Sequence, residues 1–254
     1  MSEEESADWR SLASSSFMRW LAVIGGVMLI VGVTAHALLT LAELPPFARS
    51  LAGQFSRIFY AGAEFTAWAW YTAVLMAAVG VALGVIAALQ HRAGSAGEPY
   101  AVLAAVALAL SIDETAQFHE GLSSLPRALG VGPLPTFDWL LVGIPIAVLA
   151  GVFLLIVARR IDARLRRGLI IGGAVFLFGA IVLEGLGGLL TRSTDLATDA
   201  VAALGFEVLL AFEEGVELAG VLIALGAALA MIEVRGAGAQ VMLRVRAAAV
   251  SVES

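Results

Sequence analysis

The chain has 254 residues, of which 60% are hydrophobic and 14% are charged, and its mean hydropathy is +0.94. A soluble domain of this length needs more charged residues to cover its surface, so the composition excludes that class. The chain contains no cysteine, which excludes disulfides, thiolate metal sites and cysteine nucleophiles. Its net charge of -6 does not fit a nucleic-acid-binding protein, which needs a basic surface.

Six apolar runs are long enough to cross a membrane, because about 20 helical residues span a hydrocarbon core of about 30 Å. We predict an all-α polytopic membrane protein, a bundle of about six transmembrane helices. The last run exceeds one crossing, so residues 200–212 are expected to extend its helix beyond the membrane. The predicted spans, in chain order, are 18–41, 65–89, 100–120, 137–158, 169–190 and 204–233.

The distribution of arginine predicts the orientation, since the chain has no lysine. With the N-terminus in the cytoplasm, eleven arginines lie inside and four outside, which follows the positive-inside rule. Both termini are then cytoplasmic. We expect a polar N-terminal segment at 1–17, a transmembrane domain at 18–235 and a C-terminal tail at 236–254. A multi-pass protein of the cell membrane, of the bacterial inner-membrane type, fits this arrangement.

The first outer loop predicts a short amphipathic helix at about 45–62, lying in the membrane interface. It begins at Pro45 and Pro46, and apolar residues recur at helical spacing with two arginines between them. We favour an anchoring role for this helix; a lid over a site is the alternative. Its apolar positions are Phe47, Leu51, Phe55, Ile58 and Phe59.

Ionisable residues from four predicted spans lie at one depth near the outer side. At 1.5 Å per helical residue, they share a layer roughly 5–9 Å below the outer boundary. Such a shared depth indicates a common pocket, because unrelated polar residues would scatter. The residues are His36 of the first span, Asp113 and Glu114 of the third, Glu184 of the fifth and Glu217 of the sixth, with Glu213 and Glu214 at the rim.

The third span leaves two arrangements open at its outer end. Asp113 and Gln117 share a helical face, while Glu114 and His119 flank that face on opposite sides. Either partners surround the helix there, or the helix loosens before His119.

So many carboxylates cannot all stay ionised together in a partly dry pocket. Protons, arginines or a cation must compensate them, and the outer-loop arginines are too few. Carboxylates with imidazole and no thiolate favour iron, manganese or zinc. Di-iron carboxylate sites use a similar supply of ligands, although their Glu-x-x-His pair is absent here. We predict metal ligation by His36, Glu114, His119, Glu184, Glu214 and Glu217, with Asp113 and Glu213 as catalytic groups that move protons.

Three functions follow from this constellation. The first is a metal-dependent oxidoreductase or hydrolase acting on a hydrophobic small molecule from the lipid bilayer. The second is a non-catalytic accessory or sensor subunit, with its protein partner unknown. A proton or cation transporter ranks third, because the inner halves of the spans, such as 103–110 and 218–232, contain no ionisable residue.

Overall fold

The computed structural model describes residues 9–237 and 240–246, and within them the apolar runs form helices. The long helices begin at favourable caps: the side chains of Ser14, Thr66, Asp162 and Asp199 accept hydrogen bonds from the first turns that follow them. The helices are α1 (Ser15–Leu41), α2 (Pro46–Phe59), α3 (Ala67–Arg92), α4 (Glu98–Ala116), α5 (Phe118–Gly121), α6 (Ser124–Ala128), α7 (Leu140–Ala158), α8 (Ala163–Leu177), α9 (Glu184–Ser193) and α10 (Ala200–Ala230).

Five helices in the described part of the chain are long and apolar enough to cross a membrane. Four are α1, α3, α4 and α7. The fifth is the continuous rod Ala163–Ser193, in which a π-helical segment, Phe178–Leu183, joins α8 to α9. These five coincide with the first five predicted spans, so the prediction of a helical protein with several potential membrane crossings is confirmed.

Helix α10 is continuous over 31 residues, about 46 Å at 1.5 Å per residue. It is therefore long enough to cross a membrane. Any stretch of about 20 residues within it, however, contains Glu213, Glu214 and Glu217, and this lowers its apolarity.

Helix α10 is the central element of the bundle, since it packs against α1, α3, α8 and the π-helical segment. Its closest approach is to α8, where Gly172 and Gly220 face each other. A Cβ atom at either position would collide with the carbonyl oxygen of the other glycine. The two backbones touch here because neither residue has a side chain.

Helix α2 lies against α1. Its bounds are close to those of the amphipathic helix predicted at 45–62. Ala52 and Ser56 are on its buried face, and Phe47 is 81% exposed. At its end, the backbone of Phe59 and Tyr60 contacts Gly32 of α1. The exposed apolar face is the one that an interfacial anchor needs.

A small antiparallel sheet, which the sequence analysis did not predict, joins the two ends of the described chain. Its strands are β1 (Arg10–Ser11), β2 (Ile232–Ala237) and β3 (Gln240–Val245), in that spatial order. Arg10 pairs with Val234, so the chain before α1 and the chain after α10 meet at one end of the bundle.

The sheet changes the predicted boundary of the last span. The span was expected to reach residue 233, but α10 ends at Ala230 and β2 begins at Ile232. From Ile232 onward, apolar and charged residues alternate, which is the period of a strand. Residues 1–8 and 247–254 of the predicted terminal segments lie outside the described residues.

Candidate functional site

Five carboxylates from three helices meet inside the bundle, and all five belong to the predicted site. The charges of Glu214 and Glu217 interact with each other and with those of the other three. Glu213 is 9% exposed. We call this group the acidic cluster: Glu114 of α4, Glu184 of α9, and Glu213, Glu214 and Glu217 of α10.

Neutral side chains donate hydrogen bonds to two members of the acidic cluster from helix α3. The indole Nε1 of Trp68 donates to Oε2 of Glu214 at 2.7 Å, and Oγ1 of Thr72 donates to Oε1 of Glu114 at 2.6 Å. Trp68 is 1% exposed and Thr72 is 3% exposed. Sequence reasoning missed both donors. Their spacing of four residues on one helical face, within an apolar run, was the signal that could have found them.

A second indole donates to a further member of the acidic cluster. Nε1 of Trp139, the residue before α7, donates to Oε1 of Glu184 at 2.9 Å. A carboxylate can accept such a bond on one oxygen and bind a proton or cation through its remaining lone pairs. These donors therefore hold the carboxylates in place without neutralising their charge.

The π-helical segment provides space for Glu217. A Cβ atom at Gly179, within that segment, would collide with Cγ of Glu217 and approach the backbone oxygen of Glu213. Segments of π-helix are frequent at functional sites, because the extra residue per turn locally changes which side chains face inward. Here the segment and its glycine let α10 place Glu217 inside the bundle.

The end of α4 resolves the two arrangements that the sequence left open. The helix ends at Ala116, and Gln117 has a left-handed backbone with φ 52°. The chain then reverses, so that Nδ1 of His119 lies 2.7 Å from Oδ2 of Asp113. The backbone N–H of His119 also donates to Oδ1 of Asp113 at 3.1 Å. The helix has loosened before His119.

The Asp113–His119 pair lies at the edge of the acidic cluster. The ring of His119 packs edge-on against Trp139, with 5.1 Å between the ring centroids. Trp139 in turn binds Glu184, and the charge of His119 interacts with that of Glu114. An imidazole held by a carboxylate is an arrangement that supports proton transfer.

His36 does not join the acidic cluster. Its Nδ1 lies 3.2 Å from Oγ of Ser56 and its Nε2 lies 3.6 Å from Oε1 of Glu207. Its ring stacks on Tyr60 at 3.8 Å, and the Tyr60 hydroxyl donates to Oε1 of Glu207 at 3.0 Å. We call this group the outer cluster: His36, Ser56, Tyr60 and Glu207.

The outer cluster and the acidic cluster lie at different positions along α10. Glu207 precedes Glu214 by seven residues, about 10 Å along the helix. Burial and the neighbouring Glu207 carboxylate raise the pKa of the Tyr60 hydroxyl above its ordinary value. Tyr60 therefore stays protonated and acts as the donor to Glu207.

The acidic cluster is not arranged as a finished metal site. Among the residues that the structure describes, no group of three His, Asp or Glu side chains stands in the geometry that holds a metal ion. Binding a metal would require the carboxylates to turn toward a common centre while they keep or exchange their indole and hydroxyl donors. The ligand types suit iron, manganese or zinc.

Comparison with known proteins identifies a family without a described activity. No curated protein and no solved structure is detectably similar to the chain. A family model described as "Domain of unknown function (DUF8692)" matches residues 14–232, a range that contains the five potential spans, α10 and both clusters. The chain belongs to the DUF8692 family.

Proposed function

We propose that this protein is a membrane-embedded metal-binding protein whose acidic cluster takes a divalent cation. The observation that carries the proposal is the convergence of Glu114, Glu213, Glu214 and Glu217 within the bundle, beside neutral hydrogen-bond donors. Two like charges about 4 Å apart repel by about 4 kcal/mol at an effective dielectric of about 20. A bound cation offsets that repulsion, because it attracts each of the carboxylates.

The proposed topology has six spans, with α10 as the sixth and both termini in the cytoplasm of a cell-membrane protein. Helix α10 is long enough to cross, and an even number of spans returns the chain to its starting side. The pairing of β1 with β2 supports this, because it holds the start of α1 and the end of α10 together. The acidic cluster then lies toward the outer side, about 24 Å from the end of α10 at Ala230.

Each side chain has a distinct part in the proposal. Glu114, Glu184, Glu214 and Glu217 bind the cation, which would be iron, manganese or zinc and would supply Lewis-acid or redox chemistry. Glu213 accepts and releases protons beside them. His119, held by Asp113, transfers protons at the edge of the cluster and would join the metal ligands if its side chain turned toward Glu114. His36 has no direct part, because it belongs to the outer cluster.

The substrate of such an enzyme would be a lipid-soluble molecule. Large apolar side chains are exposed along the sides of the helices, as in Ile30 at 67% and Leu149 at 72%, so the surface around the bundle suits lipid. A molecule dissolved in the bilayer reaches the bundle from the side. The reaction would be an oxidation or a hydrolysis.

A non-catalytic accessory or sensor subunit is the second candidate. The observation that favours it is the burial of carboxylates that repel one another, since shared protons relieve this repulsion without a metal ion. In that case the cluster holds protons rather than metal, and the protein responds to external cations or binds a basic partner. Transport of protons or cations ranks third, because the α10 segment 218–230 is apolar.

Elemental analysis of the detergent-purified protein tests the proposal. We expect about one or two equivalents of iron, manganese or zinc per chain. The double variant Glu214→Gln/Glu217→Gln should lose this metal, because two of the four proposed carboxylate ligands become neutral amides.

Glu98→Gln is the matched control, since Glu98 is exposed in the first turn of α4, at the end of that helix remote from Glu114. It should keep the wild-type metal content. Metal-free wild-type protein that co-purifies with another subunit would instead support the accessory role.

A further inference from the structure

A groove with apolar walls runs between the ends of α1 and α10 that lie beyond the acidic cluster. Its volume is about 440 Å³, within the range of small-molecule pockets. Leu204 and Val208 on its rim are exposed, so the groove opens on the side surface of the bundle. The walls are formed mainly by Val33, Ala37, Leu38 and Leu41 of α1 and by Leu204 and Val208 of α10.

One acidic residue lines this apolar groove, and half of its carboxylate is unpaired. The Glu207 side chain is 7% exposed, and its Oε1 accepts the hydrogen bond from Tyr60. Its Oε2 is buried and accepts no hydrogen bond from any residue in the described part of the chain. A buried carboxylate oxygen without a donor is costly. A donor brought by a ligand would remove that cost.

The two features together define the chemistry of a ligand. Apolar walls bind a hydrocarbon body, and the unpaired oxygen of Glu207 binds a head group that donates a hydrogen bond. A carboxylate or phosphate head group is repelled by Glu207, which excludes ordinary anionic lipids. The groove opens on the side surface of the bundle, next to the end of α1, so on the proposed topology such a ligand arrives from the outer interface of the bilayer.

We propose that this groove binds an amphiphile with an apolar chain and a hydroxyl or ammonium head group, and that the head group donates to Oε2 of Glu207. The Tyr60 hydroxyl and the His36 ring contact Oε1, so Oε2 is the oxygen left for the head group, which reaches it when the side chains that cover it move aside. This site is separate from the acidic cluster and does not depend on a metal there.

Native mass spectrometry with three probes of equal chain length tests the proposal: dodecylamine, dodecanol and dodecyl methyl ether. The ether accepts hydrogen bonds but cannot donate one. Wild-type protein should bind one equivalent of the amine or the alcohol about tenfold more tightly than the ether, as expected for one hydrogen bond. A preference for the amine identifies an ammonium ligand, and equal binding shows that a hydroxyl is sufficient.

Substitutions at Glu207 and at Ala37 test the roles of the carboxylate and of the groove separately. Glu207→Gln, which removes the negative charge, should weaken the amine about tenfold. Glu207→Leu, which removes both acceptor oxygens, should weaken the amine and the alcohol about tenfold and leave the ether unchanged. Ala37→Phe should block all three probes with Glu207 intact, whereas Ala150→Phe, at an exposed position on α7, should not.

Equal binding of the ether and the donor probes to wild type would overturn the proposal, because the groove would then hold any acyl chain. Wild-type affinity for the amine and the alcohol in Glu207→Leu would overturn it as well. The metal content of Glu207→Gln should equal that of wild type, so a failure of this site is distinguishable from a failure of the acidic cluster.

Discussion

Helix α10 carries two groups of buried carboxylates, and their surroundings differ. Glu207, in the outer cluster, is a single acid that contacts a phenol and an imidazole. Two turns further along, Glu213, Glu214 and Glu217 face two more carboxylates. The donors that reach this second group are indoles and a hydroxyl.

The surroundings of the two groups indicate two different functions, which the residue type alone does not distinguish. A lone buried carboxylate in which only one oxygen accepts a hydrogen bond needs a donor for the other oxygen, and an amphiphile can bring that donor. A group of mutually repelling carboxylates needs positive charge, which protons or a metal ion supply. Glutamates on one helix therefore indicate ligand binding at Glu207 and cation binding in the acidic cluster.

Removing the Trp68 donor should have the largest effect on the acidic cluster. Trp68→Phe leaves an oxygen of Glu214 without its donor and leaves space in a fully buried position. We expect the free energy of unfolding to fall by roughly 2–4 kcal/mol. Chemical denaturation in detergent measures it. Trp70→Phe is the matched control, since Trp70 is 65% exposed, and a loss of similar size there would contradict the assigned role.

A smaller loss is expected when the space for Glu217 is filled. Gly179→Ala places a methyl group against Cγ of Glu217 and should destabilise the protein by about 1–3 kcal/mol, with reduced metal content. Gly173→Ala is the control on the same rod, where a Cβ atom meets nothing within 4 Å. It should be neutral or slightly stabilising, because alanine favours helix. Equal effects of the two changes would remove the special role of the π-helical segment.

The outer cluster should respond as a pair. Tyr60→Phe removes the donor to Oε1 of Glu207 and should cost about 1–2 kcal/mol. Combined with Glu207→Leu, which removes the acceptor, the two changes should depart from additivity by about 1 kcal/mol, as a double-mutant cycle of unfolding free energies will show. Strict additivity would mean that the Tyr60–Glu207 hydrogen bond contributes nothing.

The smallest effect is expected at the end of α4. Gln117 adopts φ 52°, a conformation that glycine adopts without strain, so Gln117→Gly should stabilise the protein by up to about 1 kcal/mol. The neighbouring Ala116→Gly, within the helix, should destabilise it by about 0.5–1 kcal/mol. A thermal shift of the same sign in both variants would contradict the assigned turn between Asp113 and His119.

The sequence predicted the potential spans well because each is a long apolar run, and such runs form helices whatever their tertiary neighbours. It also predicted one layer for Glu114, Glu184 and Glu217, with Glu213 and Glu214 at its rim. Depth along a helix follows from the residue count, at 1.5 Å per residue.

Sequence reasoning could not predict the partners within that level. His36 lies beside Ser56 and Glu207, about two helical turns along α10 from the acidic cluster with which the sequence grouped it. The turn at Gln117 and the π-helical segment each change which side chains face inward over a few residues. The periodicity of apolar residues does not predict such local changes. The sequence analysis did not predict β2 and β3, because the alternating pattern of β2 is short and directly follows the long apolar run of α10.

Anomalous diffraction from crystals grown with iron, manganese or zinc tests the central proposal most directly. The proposal predicts an anomalous peak at each metal's absorption edge between α4, α9 and α10, within bonding distance of Glu214 and Glu217. The absence of any such peak, with Glu214 still bound to Trp68 and Glu114 to Thr72, would contradict the metal-binding function.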